Sequence, residues 1–214
     1  MNKRNTADQT TTRIKLCGMM NPPDVIHAME LEVDFIGFIL SDGFRRSIPL
    51  GTFCELDGYV MDGKMRGNSV KKVGVFVNEP FEAVTKYYAE ALDMIQLHGN
   101  EDDAYIKELR NYTDCPIIKA FKIETQEDIK RARESLADYV LLDSGTGTGK
   151  VFDHSLIKEM DRHFFLAGGM NADNVAEAIE ILHPYAVDAS SSLETDGKKD
   201  KNKMSSFVKA VRRA

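Results

Sequence analysis

No apolar run in the 214-residue chain approaches the ~20 residues needed to cross a bilayer, so a membrane-spanning protein is not expected. Basic residues are not in excess either. With 28 Lys and Arg against 34 Asp and Glu, the formal charge is −6. That balance argues against a dedicated nucleic-acid binder, which would carry a basic patch or stripe. Cysteine is scarce: Cys17, Cys54 and Cys115 are odd in number, far apart and without CxxC spacing. A disulfide framework and a thiolate zinc site are therefore not expected, and a reducing, cytoplasmic compartment is. The segment Met1–Thr12 is polar, Thr-rich and lacks an apolar stretch. It reads as a disordered tail and not as a secretory signal.

What is present is an ordinary globular composition, 43% hydrophobic and 29% charged, enough to bury a core in one domain. No composition break marks a domain boundary, so residues 13–214 read as one unit. Eight short apolar runs recur along it: Ile14–Cys17, Phe35–Leu40, Lys72–Val77, Met94–Leu97, Pro116–Phe121, Tyr139–Leu142, Phe164–Ala167 and Ala186–Ala189. Segments of helical periodicity separate them. Asn21 or Asp24 can cap the first helix, and Pro80 suits a first turn. Asp62–Lys71 is Gly-, Lys- and Asn-rich with no periodic pattern and reads as a flexible stretch. Eight strand-helix units predict a closed single-domain (β/α)8 TIM barrel of α/β class. An open doubly wound sheet is the alternative. It usually carries GxGxxG after its first strand, where this chain has Cys17-Gly18-Met19-Met20-Asn21.

Barrel active sites form at the C-terminal ends of the strands, so the residues there act as a sieve. Cys17 ends the first run and precedes Gly18 and a helix start, where helix N–H groups can stabilise a thiolate. Cys54 and Cys115 lack that context and read as packing residues. Arg45 and Arg46 follow the second run and suit either a solvated pair or a clamp for carboxylate or phosphate. His98 stands alone after the fourth run without a second His at metal spacing, so no metal is expected. Asp143 ends the sixth run, before the Gly/Thr-rich Ser144–Lys150, which reads as a loop closing over a ligand. That loop is not a P-loop, because Val151 follows Lys150. Gly168 and Gly169 follow the seventh run, and Ser190-Ser191-Ser192 follow the eighth at the start of a short helix. Glycines and hydroxyls at these two strands suit a barrel phosphate site.

These residues carry a resemblance. The blocks Lys15–Gly18, Asp34–Phe38, Gly74–Asn78, Gln96–Glu101, Leu142–Ser144, Gly147–Asp153, Leu166–Met170, Asn174–Val175, Asp188–Ser191 and Gly197–Asp200 occur in the order found in phosphoribosylanthranilate isomerases of tryptophan biosynthesis, and the chain resembles that family over nearly its whole length. The resemblance implies a cofactor-free Amadori rearrangement. In it N-(5-phosphoribosyl)anthranilate becomes 1-(2-carboxyphenylamino)-1-deoxyribulose 5-phosphate. It further implies Cys17 as general base, Asp143 as general acid and Arg46 as the ligand of the anthranilate carboxylate. Gly168, Gly169, Ser191 and Ser192 match the phosphate site, and Asp188 falls on the ribose or amine side.

The chain departs from the family at two places. Gly43-Phe44-Arg45-Arg46 replaces a Lys-Ser-Pro-Arg-like loop, which leaves Arg45 and Arg46 as alternatives for the carboxylate. Ser192 replaces a glycine and either crowds the phosphate or offers it a hydroxyl. Rival readings are a dual-substrate isomerase of histidine and tryptophan synthesis, an indole-glycerol-phosphate synthase, and a non-catalytic barrel that binds a phosphorylated metabolite. The first would pair two aspartates, the second would use lysine and glutamate, and the third would lack a matched base and acid. A small phosphoribosyl substrate is the expected partner, with no nucleic acid and no membrane. Monomer and homodimer both remain open.

Overall fold

The computed structural model describes residues 11–143, 156–157 and 160–214. Eight parallel strands, β1 (Arg13–Cys17), β2 (Phe35–Ile39), β3 (Lys71–Phe76), β4 (Met94–Leu97), β5 (Ile117–Lys122), β6 (Tyr139–Asp143), β7 (Phe164–Ala167) and β8 (Ala186–Ala189), pair in chain order. The circle closes where β8 pairs with β1, which excludes the open sheet. Among the described residues the helices are α1 (Pro22–Glu30), α2 (Leu50–Met65), α3 (Phe81–Tyr87), α4 (Asp103–Leu109), α5 (Gln126–Glu134), α6 (Val175–Leu182) and α7 (Lys201–Val211). A short 3-10 helix (Ser191–Leu193) and a hairpin of β9 (Glu194–Thr195) and β10 (Lys198–Lys199) lie between β8 and α7. Residues 1–10 of the expected tail and the loop Ser144–Lys150 lie outside the described residues.

Local chemistry accounts for most helix starts. Asn21 caps α1 by accepting from the Asp24 N–H, with Pro22 and Pro23 in the first turn. Thr125 and Asp128 form a reciprocal capping box on α5. Asp200 accepts from the Asn202 and Lys203 N–H groups and opens α7. One expectation fails. Asp62–Met65 is not a flexible stretch but the last turn of α2. Phe53, Leu56 and Val60 bury the earlier turns, and Lys64 pairs with Asp93 at 2.8 Å. Tertiary contacts therefore extend a helix whose polar end has no periodicity of its own.

Alternation along the strands sorts side chains into two layers. Leu16, Ile36, Phe38, Ile95, Leu97, Val140, Leu142, Leu166 and Val187 join the helices in one outer core. Phe35, Val73, Met94, Ile118, Leu141, Phe165 and Ala186 form a second cluster inside the barrel. Aromatic rings fill the N-terminal end of that interior: Phe35, Phe165, Tyr139 and Tyr185 pack at centroid distances of 5.0 to 6.5 Å, and Arg13 lies over Tyr185. Towards the C-terminal end the interior turns polar, through Lys15, Gln96 and Asp188. The plugged end stabilises, and the polar end is the one available for chemistry.

A recurring aspartate fixes how neighbouring strands begin. Asp34, Asp93 and Asp138 each stand immediately before an even-numbered strand. Each accepts from a backbone N–H near the start of the preceding odd-numbered strand, at Ile14, Lys72 and Ile117 respectively, all at 2.8 Å. Those amides start a strand before its ladder is complete and would otherwise be buried without a partner. Asp34 does this without an ion pair to a described residue. An Asp34→Ala substitution should therefore cost about 1–3 kcal/mol, the penalty for orphaning one buried donor. Urea denaturation measures it, and an unchanged midpoint would show that the carboxylate is not needed to seat β1.

Candidate active site

β1 presents Lys15 and Cys17 on one face, two residues apart. Lys15 is fully buried, and its ammonium donates to Asp188 Oδ2 at 2.8 Å. Burial works against that charge, but Asp188 and then the Cys17 sulfur outweigh it and hold the ammonium above its usual range. Asp188 is buried as well, and its second oxygen, Oδ1, has no hydrogen-bond partner among the described residues. It also feels the charges of His98 and Asp143. His98 Nε2 lies 3.7 Å from Asp143 Oδ2, and its Nδ1 lies 2.8 Å from Gln96 Nε2. Asp188 thus pairs with Lys15 and also feels the charges of His98 and Asp143. An open cleft of about 890 Å³ has His98, Lys119 and Asp143 among its lining residues.

The surroundings of Cys17 differ from expectation. The Gly18 and Met19 N–H groups both donate to the Gly37 carbonyl, at 2.9 and 3.0 Å. Helix α1 starts only at Pro22, and Pro22 and Pro23 have no N–H to offer. Helix amides are therefore not what flanks the sulfur. Positive charge comes from Lys15 and Lys199 instead. Room for the sulfur comes from β2: Gly37 pairs with Cys17 in register, and a Cβ at Gly37 would stand 2.7 Å from Cys17 Sγ. Cys115 is buried, its thiol facing the Leu92 carbonyl, and keeps its packing role. Cys54 does not: it lies exposed on the solvent side of α2, between the buried Phe53 and Leu56.

The loop after β2 is tightly folded. The Ser47 hydroxyl donates to the Ser41 carbonyl, the Phe44 N–H donates to Ser47 Oγ, and Ser41 Oγ accepts from the Val77 N–H. This brings both arginines to the β9–β10 hairpin. Arg46 donates through one terminal nitrogen to Glu194 Oε1 at 2.9 Å, and its stem crosses Gly18, whose added Cβ would lie 2.7 Å from Arg46 Cδ. Arg45 donates to Glu194 Oε2 and to the Gly197 carbonyl. After β7, Gly168 and Gly169 take positive φ values of 90° and 67°. After β8, Ser191 and Ser192 open the 3-10 helix, and the Ser192 hydroxyl donates to the Met170 carbonyl. That bond ties the β8 turn to the β7 turn and engages the Ser192 hydroxyl.

The eight residues to which the resemblance assigns roles all lie at this one end of the barrel, from Cys17 and Arg46 to Asp143, Gly168, Gly169, Asp188, Ser191 and Ser192. Reading the strand ends did not reveal Lys15, Gly37, Gln96, Glu194 or Lys199. A lysine inside an apolar strand, two residues before Cys17, was a usable signal. The others became visible only once the strands were in register. No group of three or more His, Cys, Asp or Glu side chains suited to a metal occurs among the described residues. No described helix is long and apolar enough to cross a membrane.

Residues 14–210 match the family model for N-(5'-phosphoribosyl)anthranilate (PRA) isomerase. The chain belongs to the PRA isomerase family. An N-(5'-phosphoribosyl)anthranilate isomerase from Caldanaerobacter subterraneus subsp. tengcongensis is 39% identical over 208 residues, covering 94% of this chain and 98% of that one. The crystal structure of the Thermotoga maritima phosphoribosyl anthranilate isomerase superimposes with a TM-score of 0.83 at 32% identity, covering 95% of this chain and all of the other. A phosphoribosyl anthranilate isomerase in complex with reduced 1-(o-carboxyphenylamino)-1-deoxyribulose 5-phosphate gives a TM-score of 0.81 at 31% identity, with the same coverage. The chain is thus an isomerase of tryptophan biosynthesis on a TIM barrel, like these PRA isomerases.

The Lys15–Asp188 pair makes a direct prediction about stability. Removing one partner strands a buried charge and should cost about 3–5 kcal/mol, so Lys15→Met should lower the urea midpoint sharply. Replacing both, as Lys15→Met with Asp188→Leu, should recover much of that loss. If Lys15→Met were as stable as the parent, the pair would contribute nothing to holding β8 against β1.

Proposed function

We propose that this PRA isomerase works with Cys17 as general base and Asp143 as general acid, without a cofactor. The carrying observation is that parallel strands β1 and β6 end in Cys17 and Asp143, which brings a cysteine and an aspartate to the same polar end of the barrel. Asp143 donates a proton to the ribose ring oxygen of N-(5-phosphoribosyl)anthranilate as the C1′–O bond breaks. The nitrogen lone pair forms the iminium ion. Cys17, as thiolate, removes the C2′ proton, and the electrons of that bond neutralise the iminium to give an enolamine. Protonation at C1′ and loss of the hydroxyl proton give the 2′-ketone.

The remaining residues bind the two ends of the substrate. Arg46 takes the anthranilate carboxylate, which suits a guanidinium whose other N–H groups have no partner among the described residues. Arg45 is engaged at both terminal nitrogens and serves as an anchor. Gly168, Gly169 and the Ser191–Ser192 turn receive the phosphate, at the two strands where barrels commonly bind it. Asp188 Oδ1, buried and without a partner among the described residues, accepts from a ribose hydroxyl or the amine. The substrate is a small phosphoribosyl compound, not nucleic acid or membrane, and the proposed location is the cytoplasm. The Thermotoga maritima enzyme is described as dimeric. For this chain a molar-mass measurement in solution distinguishes monomer from homodimer.

Loss of anthranilate ribosylamine fluorescence follows the reaction directly. Cys17→Ala and Asp143→Asn should each lower kcat by about 10²- to 10⁴-fold while leaving the thermal melt intact. A folded variant that kept near-parental kcat would remove that residue from the mechanism.

A further inference from the structure

Glu194 is the unusual feature of this site. Its side chain is only 6% exposed, yet it carries a carboxylate that three cations contact directly. Arg46 donates to Oε1 at 2.9 Å, Lys199 stands 3.3 Å from the same oxygen, and Arg45 donates to Oε2. Burial opposes the charge of Glu194, but Arg45, Lys199 and Arg46 overcome it and hold its carboxyl below the usual range. Lys199 is itself almost fully buried and donates to the Ser190 carbonyl at 2.9 Å, while Ser190 Oγ donates to the Cys17 carbonyl at 3.0 Å. The hairpin bearing Glu194 is therefore tied to the end of β1 through Lys199 and Ser190.

We infer that Glu194 is a positioning residue that aims Arg46 at the substrate carboxylate, with Arg45 as its second tether. The inference rests on the proposed role of Arg46. A long arginine side chain at a barrel mouth samples many rotamers, and ordering it on binding costs affinity. Glu194 removes that cost in advance. It fixes one terminal nitrogen of Arg46, and Gly18 supports the stem below, where any side chain would collide with it. Because Arg45 spends both terminal nitrogens on the hairpin, it holds the loop after β2 in place and leaves Arg46 as the arginine presented. Glu194 never needs to touch the reacting atoms.

The test compares binding of two ligands to the full chain by isothermal titration. One is reduced 1-(2-carboxyphenylamino)-1-deoxyribulose 5-phosphate, and the other is the same compound lacking the ring carboxylate. The parent should bind the carboxylated ligand at least tenfold tighter. Glu194→Gln should erase most of that advantage while binding the carboxylate-free ligand as the parent does. In turnover, its KM should rise about tenfold with kcat changed less than threefold. If Glu194→Gln keeps the full carboxylate advantage, the positioning role is wrong and the Arg46 reading stands. If it weakens both ligands equally, Glu194 is merely structural and the inference fails. If the parent itself shows no preference for the carboxylate, the Arg46 reading falls and the inference with it. Should Glu194→Gln not fold, Glu194→Asp keeps the charge beside the cations but shortens the reach to Arg46, and the same loss of the carboxylate advantage is expected.

Discussion

A lysine ammonium and an aspartate carboxylate meet across the seam where β8 joins β1, with Lys15 directly in register with Asp188. Everything else at the site is arranged around that contact. The last strand must find the first for a barrel to exist at all, and neither charge can be buried without the other. An ion pair at this point therefore links closure of the fold to the polarity of its interior. The same pair sets the neighbours of the chemistry, because Cys17 is two residues from Lys15 while the charges of His98 and Asp143 act on Asp188.

The two ends of the barrel show why one can react and the other cannot. At the N-terminal end, Phe35, Phe165, Tyr139 and Tyr185 fill the interior with rings, and burial lifts the Tyr185 hydroxyl to about 12. At the C-terminal end, small or polar residues take the inward positions, and loops carry Arg46, Glu194 and the glycines after β7. Along β1, β6 and β8 the inward side chains pass from Arg13, Tyr139 and Ala186 to Cys17, Asp143 and Asp188. The gradient from packing to chemistry is written into each strand at a period of two.

Much of this was legible in the chain. The eight apolar runs fall within a residue or so of the eight strands, because buried parallel strands are short and nearly all apolar. The ends of those runs named Cys17, Asp143, Gly168 and Asp188, because active sites of this architecture lie only there. Where the reading failed, the cause was long-range. Asp62–Met65 is helical because Lys64 reaches Asp93 on another element. The helix amides expected near Cys17 are replaced by Lys15 and Lys199, because Pro22 and Pro23 open α1.

The sequence by itself determined the barrel, its polar end and the family, since periodicity, strand count and ordered motifs are local properties read along one dimension. Only the tertiary structure decided which cations surround Cys17, how Gly37 makes room for its sulfur, and how each of two adjacent arginines is tethered. Those outcomes depend on strand register and on a hairpin some 150 residues from the arginines, where Glu194 and Gly197 bind Arg45 and Glu194 also holds Arg46. Charge and hydrogen-bonding capacity are visible in a list of residues. Which partner each group meets is settled only when the chain closes on itself.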